Sequence, residues 1–178
     1  MDTEHFWALI EEARAAAPDP SDADDVADRA AALLAARDPQ QILRAQQVFW
    51  DLMAASYQAP LWAAAYLING GCSDDGFEYF RGWLITQGRA TFEQVVADTD
   101  RLAEVPAVRA AAAEGAELEC EEALGIAWEA YRSATGSDLP PDSFTITYPA
   151  LDPAGAATID DPAGTAAALP RLARLYDE

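Results

Sequence analysis

Large apolar side chains recur at every third or fourth position through most of the first 135 residues, and capping residues stand where such segments begin. This period predicts helices rather than strands. In the opening segment Phe6, Ile10, Ala13 and Ala17 form one stripe with Trp7 beside it, and Pro18 and Pro20 end it. Ser21 is the expected N-cap of a second helix, with Asp22, Asp24 and Asp25 in its first turn and Val26, Ala30, Leu33 and Leu34 on its buried edge. Asp38-Pro39 supplies a cap and first-turn proline for a third helix. Its Ile42, Phe49, Met53 and Tyr57, flanked by Leu43 and Trp50, give the broad apolar face of a central element. Pro60 restarts the chain into a helix reaching Ile68, which Asn69-Gly70-Gly71 stops. Ser73 caps the next, with Phe77, Phe80 and Leu84 on its core side and an end near Gly88. A short helix carries Phe92, Val95 and Val96, and a turn and helix follow around 100–113. Residues 117–134 read as a last long helix with Cys120, Leu124, Ala127 and Tyr131 on one stripe and Trp128 adjacent.

After Gly136 the texture changes. Pro140, Pro141, Pro149, Pro153, Pro162 and Pro170 interrupt the chain, and Phe144-Thr-Ile-Thr-Tyr148 alternates with period two, as a short strand or extended segment does. A lone strand has no stable partner, so it is expected to lie along the helical body, with a short Pro170–Tyr176 helix closing the chain. The expected fold is mostly α: a single compact multi-helix domain over 1–178, with a helical body at 1–136. An irregular, Pro-rich C-terminal segment at 137–178 packs on it, with at most one short strand.

Composition narrows the chemistry. The 178 residues are 51% apolar, but 41 of them are Ala, which suits any helical face, so the larger core side chains are fewer than that figure implies. Thirty-one acids against 11 bases give a net charge of −20, which argues against nucleic acid as a partner. All 11 bases are Arg, so a Schiff-base lysine or a phosphate-loop lysine is excluded. One histidine, His5, and two distant cysteines, Cys72 and Cys120, form no zinc-type spacing and no disulfide framework. Residues 1–20 have no signal-peptide pattern, and no apolar run reaches membrane-span length. A cytoplasmic protein is therefore expected, with no membrane partner and no cofactor.

The densest signal is Asn69-Gly-Gly-Cys-Ser-Asp-Asp-Gly-Phe-Glu-Tyr-Phe-Arg81, a glycine-broken turn entering an acidic helix start. At 100° per residue Asp74, Glu78 and Arg81 share a narrow sector with Asp75 to one side, while Phe77, Phe80 and Leu84 face the core. That places three carboxylates and a guanidinium on one exposed face. On the structural reading, which is preferred, Asp74 and Asp75 complement the helix dipole and Glu78 pairs with Arg81. On the other, the mutually repelling Asp74 and Glu78 hold a divalent cation or a polar ligand. Cys72 precedes a helix start, which favours a thiolate, but Asp74 and Asp75 oppose it, so an inert thiol is expected. Gly71-Cys-Ser-Asp-Asp75 has the first Gly and the Ser of a nucleophile elbow but lacks the closing Gly and a preceding strand. His5 would have to act as base for any Ser or Cys nucleophile, and reads instead as a partly buried side chain. Glu114, Glu117, Glu121 and Glu122 form an acidic edge, read as solvated, with ligation beside Asp74 or Glu78 as the sharper alternative.

The opening Asp2-Thr-Glu-His-Phe-Trp-Ala-Leu-Ile10, the block from Leu67 to Arg89 and Asp100-Arg-Leu-Ala103 resemble the domain of unknown function family 4240. So do Trp128-Glu-Ala-Tyr-Arg-Ser-Ala-Thr-Gly136 with Leu139-Pro140, and Leu169-Pro-Arg-Leu172. The resemblance implies a small bacterial, largely actinobacterial protein, a source the missing lysines and abundant alanines also suit, and it carries over no activity. The matching acids Asp74 and Asp75 and arginines Arg81 and Arg89 need more than packing to explain them, so with Glu78, which shares the face of Asp74, they are the candidate ligand-binding residues, and Asp74 and Glu78 are the candidates for metal. A binding or regulatory module is expected, with a protein or a small polar ligand as partner. A carboxylate-based enzyme or divalent-metal-binding protein is the alternative.

Overall fold

The computed structural model describes residues 1–157 and 159–177. Helix accounts for 70% of the described residues, which contain no strand, as a mostly α fold requires. Among the described residues eleven α-helices and one 3-10 helix follow one another. The first eight α-helices are α1 (Thr3–Ala16), α2 (Ala23–Ala35), α3 (Pro39–Ala55), α4 (Ala59–Ile68), α5 (Asp74–Thr86), α6 (Arg89–Ala97), α7 (Pro106–Glu114) and α8 (Glu122–Thr135), with the 3-10 helix (Thr99–Glu104) between α6 and α7. Three short helices close the chain: α9 (Pro153–Ala156), α10 (Pro162–Ala168) and α11 (Pro170–Tyr176). No helix among the described residues is long and apolar enough to cross a membrane.

Alanine decides the central packing. The most extensive helix pair is α2 with α8. Ala23, Ala27 and Ala30 on one and Ala123, Ala127 and Ala130 on the other are all buried. Such small side chains allow two helix axes to approach closely, and Val26, Leu34 and Ile126 of the same two helices are buried as well. One buried cluster runs from Phe6 in α1 to Leu172 in α11.

Several caps stand where the sequence places them. Asp38 accepts from Gln40 N–H at 2.8 Å and Ser73 from Gly76 N–H at 3.1 Å. The second helix differs: Asp22, not Ser21, accepts from Asp25 N–H, because Ser21 is held back by Asp19. The last long helix begins at Glu122 rather than 117. Residues 117–120 stay out of the helix because Leu118 N–H donates to Asn69 Oδ1 at 2.9 Å and Cys120 N–H donates to Tyr79 O at 3.1 Å. Helices α9 and α10 have no counterpart in the sequence reading. Asp152-Pro153 and Asp161-Pro162 repeat the Asp-Pro signature of α3, and the prolines that read as breaks are helix starts, capped through Gly155 N–H and Ala163 N–H.

Residues 144–148 are extended but pair with no strand. The side-chain amide of Gln47 serves instead: Thr145 N–H donates to Gln47 Oε1 at 2.8 Å, and Gln47 Nε2 donates to Thr145 O at 3.2 Å. Phe144 stacks on Trp50 at 6.3 Å and Tyr148 on Tyr57 at 4.5 Å, fastening this strap across α3 and α5.

Candidate functional site

The turn from α4 to α5 is pinned before the motif begins. Gly70 adopts a φ of 67°, Asn69 bridges to the main chain of Leu118, and Trp62 Nε1 donates to Cys72 O at 3.2 Å. Asp74 and Asp75 then stand exposed in the first turn of α5, where their charge meets the positive end of the helix.

Arg81 does not join them at the surface. It is 1% exposed, so the expectation of an exposed face shared with Asp74 and Glu78 is corrected. The reason lies in α3, whose last four carbonyls have no partner within the helix. Arg81 donates to one of them, Met53 O, at 2.6 Å, and also to Phe77 O at 3.1 Å. A guanidinium at the negative end of α3 is stabilised by the aligned peptide dipoles, which explains how the charge is buried with no carboxylate within ion-pair distance among the described residues. Its carbon lies 4.5 Å from the Phe77 ring centre, 4.8 Å from that of Tyr148 and 5.2 Å from that of Tyr57, an aromatic box around a planar cation.

Glu78 reaches Arg81 only through an intermediary. Tyr148 donates to Glu78 Oε1 at 2.8 Å and accepts from Arg81 at 3.4 Å. Burial raises the Tyr148 phenol to about 12, with Arg81 acting against that rise and Glu78 adding to it, so the phenol stays protonated and can donate. Arg89 belongs elsewhere: it pairs with Glu4 and Glu93, and its N–H donates to Glu11.

The remaining reactive groups are unsuited to nucleophilic work. Burial, Glu119 and Asp74 push the Cys72 thiol up to about 12 against the opposing pull of Arg81. Cys120 is raised further, again chiefly by burial. Both are protonated near neutrality. His5 is exposed rather than partly buried, its Nδ1 2.7 Å from the Asp2 carboxylate that caps α1. Glu122 falls near Asp24 and Cys120, their ligand atoms within 4.8 Å of one another, and not beside Asp74 or Glu78.

The buried carboxylate of Asp100 has a structural task. Leu169 precedes α11 and has no side chain to cap it, so Asp100 of the 3-10 helix does so from a distance, accepting from Arg171 N–H at 3.0 Å and Leu172 N–H at 2.9 Å. Arg171 Nε adds a third bond at 3.0 Å, and its guanidinium also reaches Asp98 and Glu104. Burial tends to raise the Asp100 carboxyl, but the bonds from Leu172 and Arg171 outweigh it and hold the group below its ordinary value. The lowered value makes Asp100 stabilising above the ordinary carboxylate range, an effect lost as pH falls through the folded value. Asp100→Asn is expected to cost about 1–2 kcal/mol at neutral pH, with the difference from wild type shrinking below the ordinary carboxylate range. Urea unfolding across an acid series measures both.

A cleft of about 390 Å³ opens between the first half of α1 and the α2–α3 turn. Its lining includes Asp2, His5, Leu9, Glu12, Arg37 and Arg44. Sequence reasoning passed over Arg37 and Arg44, because nothing local shows that two arginines either side of a helix start face the same concavity. The sequence pattern marks Tyr57 and Tyr148 only as apolar-face and strand residues.

A family model described as Protein of unknown function (DUF4240) matches residues 1–133. The chain belongs to that family. The DUF4240 span runs from α1 into the last turns of α8 and includes both walls of the cleft and the floor beneath Arg81, namely Met53, Tyr57 and Phe77. Tyr148, which covers Arg81, and Arg171, which meets Asp100, lie outside it. No curated protein and no solved structure matches the chain.

Proposed function

We propose that this DUF4240 protein is a cytoplasmic binding module whose ligand occupies the α1–α3 cleft, and not a carboxylate-based enzyme. The observation that carries the reading is the burial of Arg81. The motif best placed to form a charged site directs its only guanidinium into the core and ties Glu78 to Tyr148. Asp74 and Asp75 are left as dipole-complementing surface charges. The protonated thiols and the exposed His5 supply no activated nucleophile and base, whereas the cleft offers unpaired charge around an apolar floor, as ligand sites do.

Replacing Asp74 and Glu78 together by Asn and Gln is expected to change stability by no more than about 1 kcal/mol. Thermal melting of wild type and this double variant against Mg²⁺, Ca²⁺, Mn²⁺ and a library of small organic molecules separates the two readings. The binding-module reading expects organic ligands to raise the melting temperature of both proteins equally. A metal-induced rise that the double variant loses would transfer the site to residues 74–81 and favour the carboxylate reading.

A further inference from the structure

We infer that the α1–α3 cleft takes a small zwitterion of the free amino acid class, with its carboxylate on Arg37 and Arg44 and its ammonium on Glu12. The inference rests on the binding-module reading and names the ligand class for that site.

The arginines carry the argument. Six of the 11 form ion pairs: Arg14, Arg29, Arg89, Arg101, Arg132 and Arg171. Arg81 and Arg109 donate to main-chain carbonyls. That leaves Arg37, Arg44 and Arg174 without a partner among the described residues, and the first two line one concavity. In a chain with 31 acids a surface guanidinium meets a carboxylate readily, so two unpaired ones in a single cleft are a local departure from the rest of the molecule. Each carries the planar donor fork that a carboxylate accepts.

The acids of the lining set the second half of the ligand. Asp2 is engaged, accepting from both His5 N–H and the His5 ring. Glu12 forms no ion pair with either arginine, although it lines the same cleft. The concavity, whose lining also includes Met1 with its ammonium close to Arg44, therefore holds opposite charges with no ion pair between Glu12 and the two arginines. A ligand of single charge would satisfy one and be opposed by the other, whereas a molecule with a carboxylate and an ammonium satisfies both. Ala8 and Leu9 offer an apolar surface for its side chain, and about 390 Å³ accommodates a molecule of that size.

The test uses the full chain and isothermal titration with the twenty free amino acids, followed by the N-acetyl and amide derivatives of the best binder. A set of neutral and singly charged small molecules is titrated alongside. At least one free amino acid should bind, and each derivative, having lost one charge, should bind roughly tenfold more weakly or worse. Arg37→Gln with Arg44→Gln should abolish binding of the free amino acid without lowering the melting temperature of the unliganded protein. Glu12→Gln should weaken the free amino acid but not its N-acetyl form. Derivatives binding as tightly as the parent, binding indifferent to the arginine pair, or neutral molecules binding in the cleft while amino acids do not, would each overturn the zwitterion. The last result would leave the binding-module reading standing. Failure of every charge class to bind would overturn both.

Discussion

Arg81→Ala is expected to lower the stability of the protein by roughly 3–5 kcal/mol, the upper part of the range for large-to-small core changes. Three losses combine. The aromatic box around residue 81 is left with a cavity, Met53 O at the end of α3 loses a charged donor, and Tyr148 loses a partner that holds the strap to the body. Arg81→Lys should recover only part of the loss, since an ammonium cannot lie flat between Phe77, Tyr57 and Tyr148 while reaching two carbonyls. Chemical unfolding followed by circular dichroism measures the series. A change within about 1 kcal/mol for Arg81→Ala would show that the buried guanidinium contributes nothing net.

The second large effect is expected at Gly82. Adding a methyl group to a glycine inside a helix ordinarily stabilises by about 1 kcal/mol. At Gly82 a Cβ would stand 2.6 Å from Cys120 O, with Leu124 at 3.1 Å and Ala123 at 3.2 Å behind it. The obstructing atom is main chain, held by the bond from Cys120 N–H to Tyr79 O, and cannot swing aside. Gly82→Ala is therefore expected to destabilise by roughly 1–3 kcal/mol despite its better helix propensity. Gly125→Ala in α8 is the control: a Cβ there meets nothing within 4 Å, so the same change should stabilise slightly. Opposite signs for the two substitutions, read from urea unfolding, confirm the contact; equal signs would refute it.

What could be read from the sequence was local. The Asp38 and Ser73 caps, the stop after Ile68 and the stripes of Phe6–Ile10 and Phe77–Leu84 depend on residues within a few positions of one another. All stand as expected. The non-helical run at 117–120 was not legible, because Glu117, Leu118 and Glu119 suit a helix and only Asn69 and Tyr79, some 40 to 50 positions away, pull it out of one. Arg81 was misplaced for the same reason. A helical wheel sets it beside Asp74 and Glu78, but the groups that draw it inward are the end of α3 and Tyr148, 28 and 67 positions distant. Composition gave a different kind of signal. The alanines looked neutral, yet they form the α2–α8 seam, and the scarcity of bases makes an unpaired arginine informative once its surroundings are known.

On the proposed reading Arg81 serves the fold and the α1–α3 cleft takes the ligand. Nuclear magnetic resonance of the ¹⁵N-labelled protein, titrated with free amino acids and separately with Mg²⁺ and Ca²⁺, tests it most directly. Amide shifts are expected at residues 5–12 and 37–44 with the amino acids, and no saturable response at 72–81 with either ion. Saturable shifts centred on Asp74, Asp75 and Glu78, with the cleft silent, would contradict it.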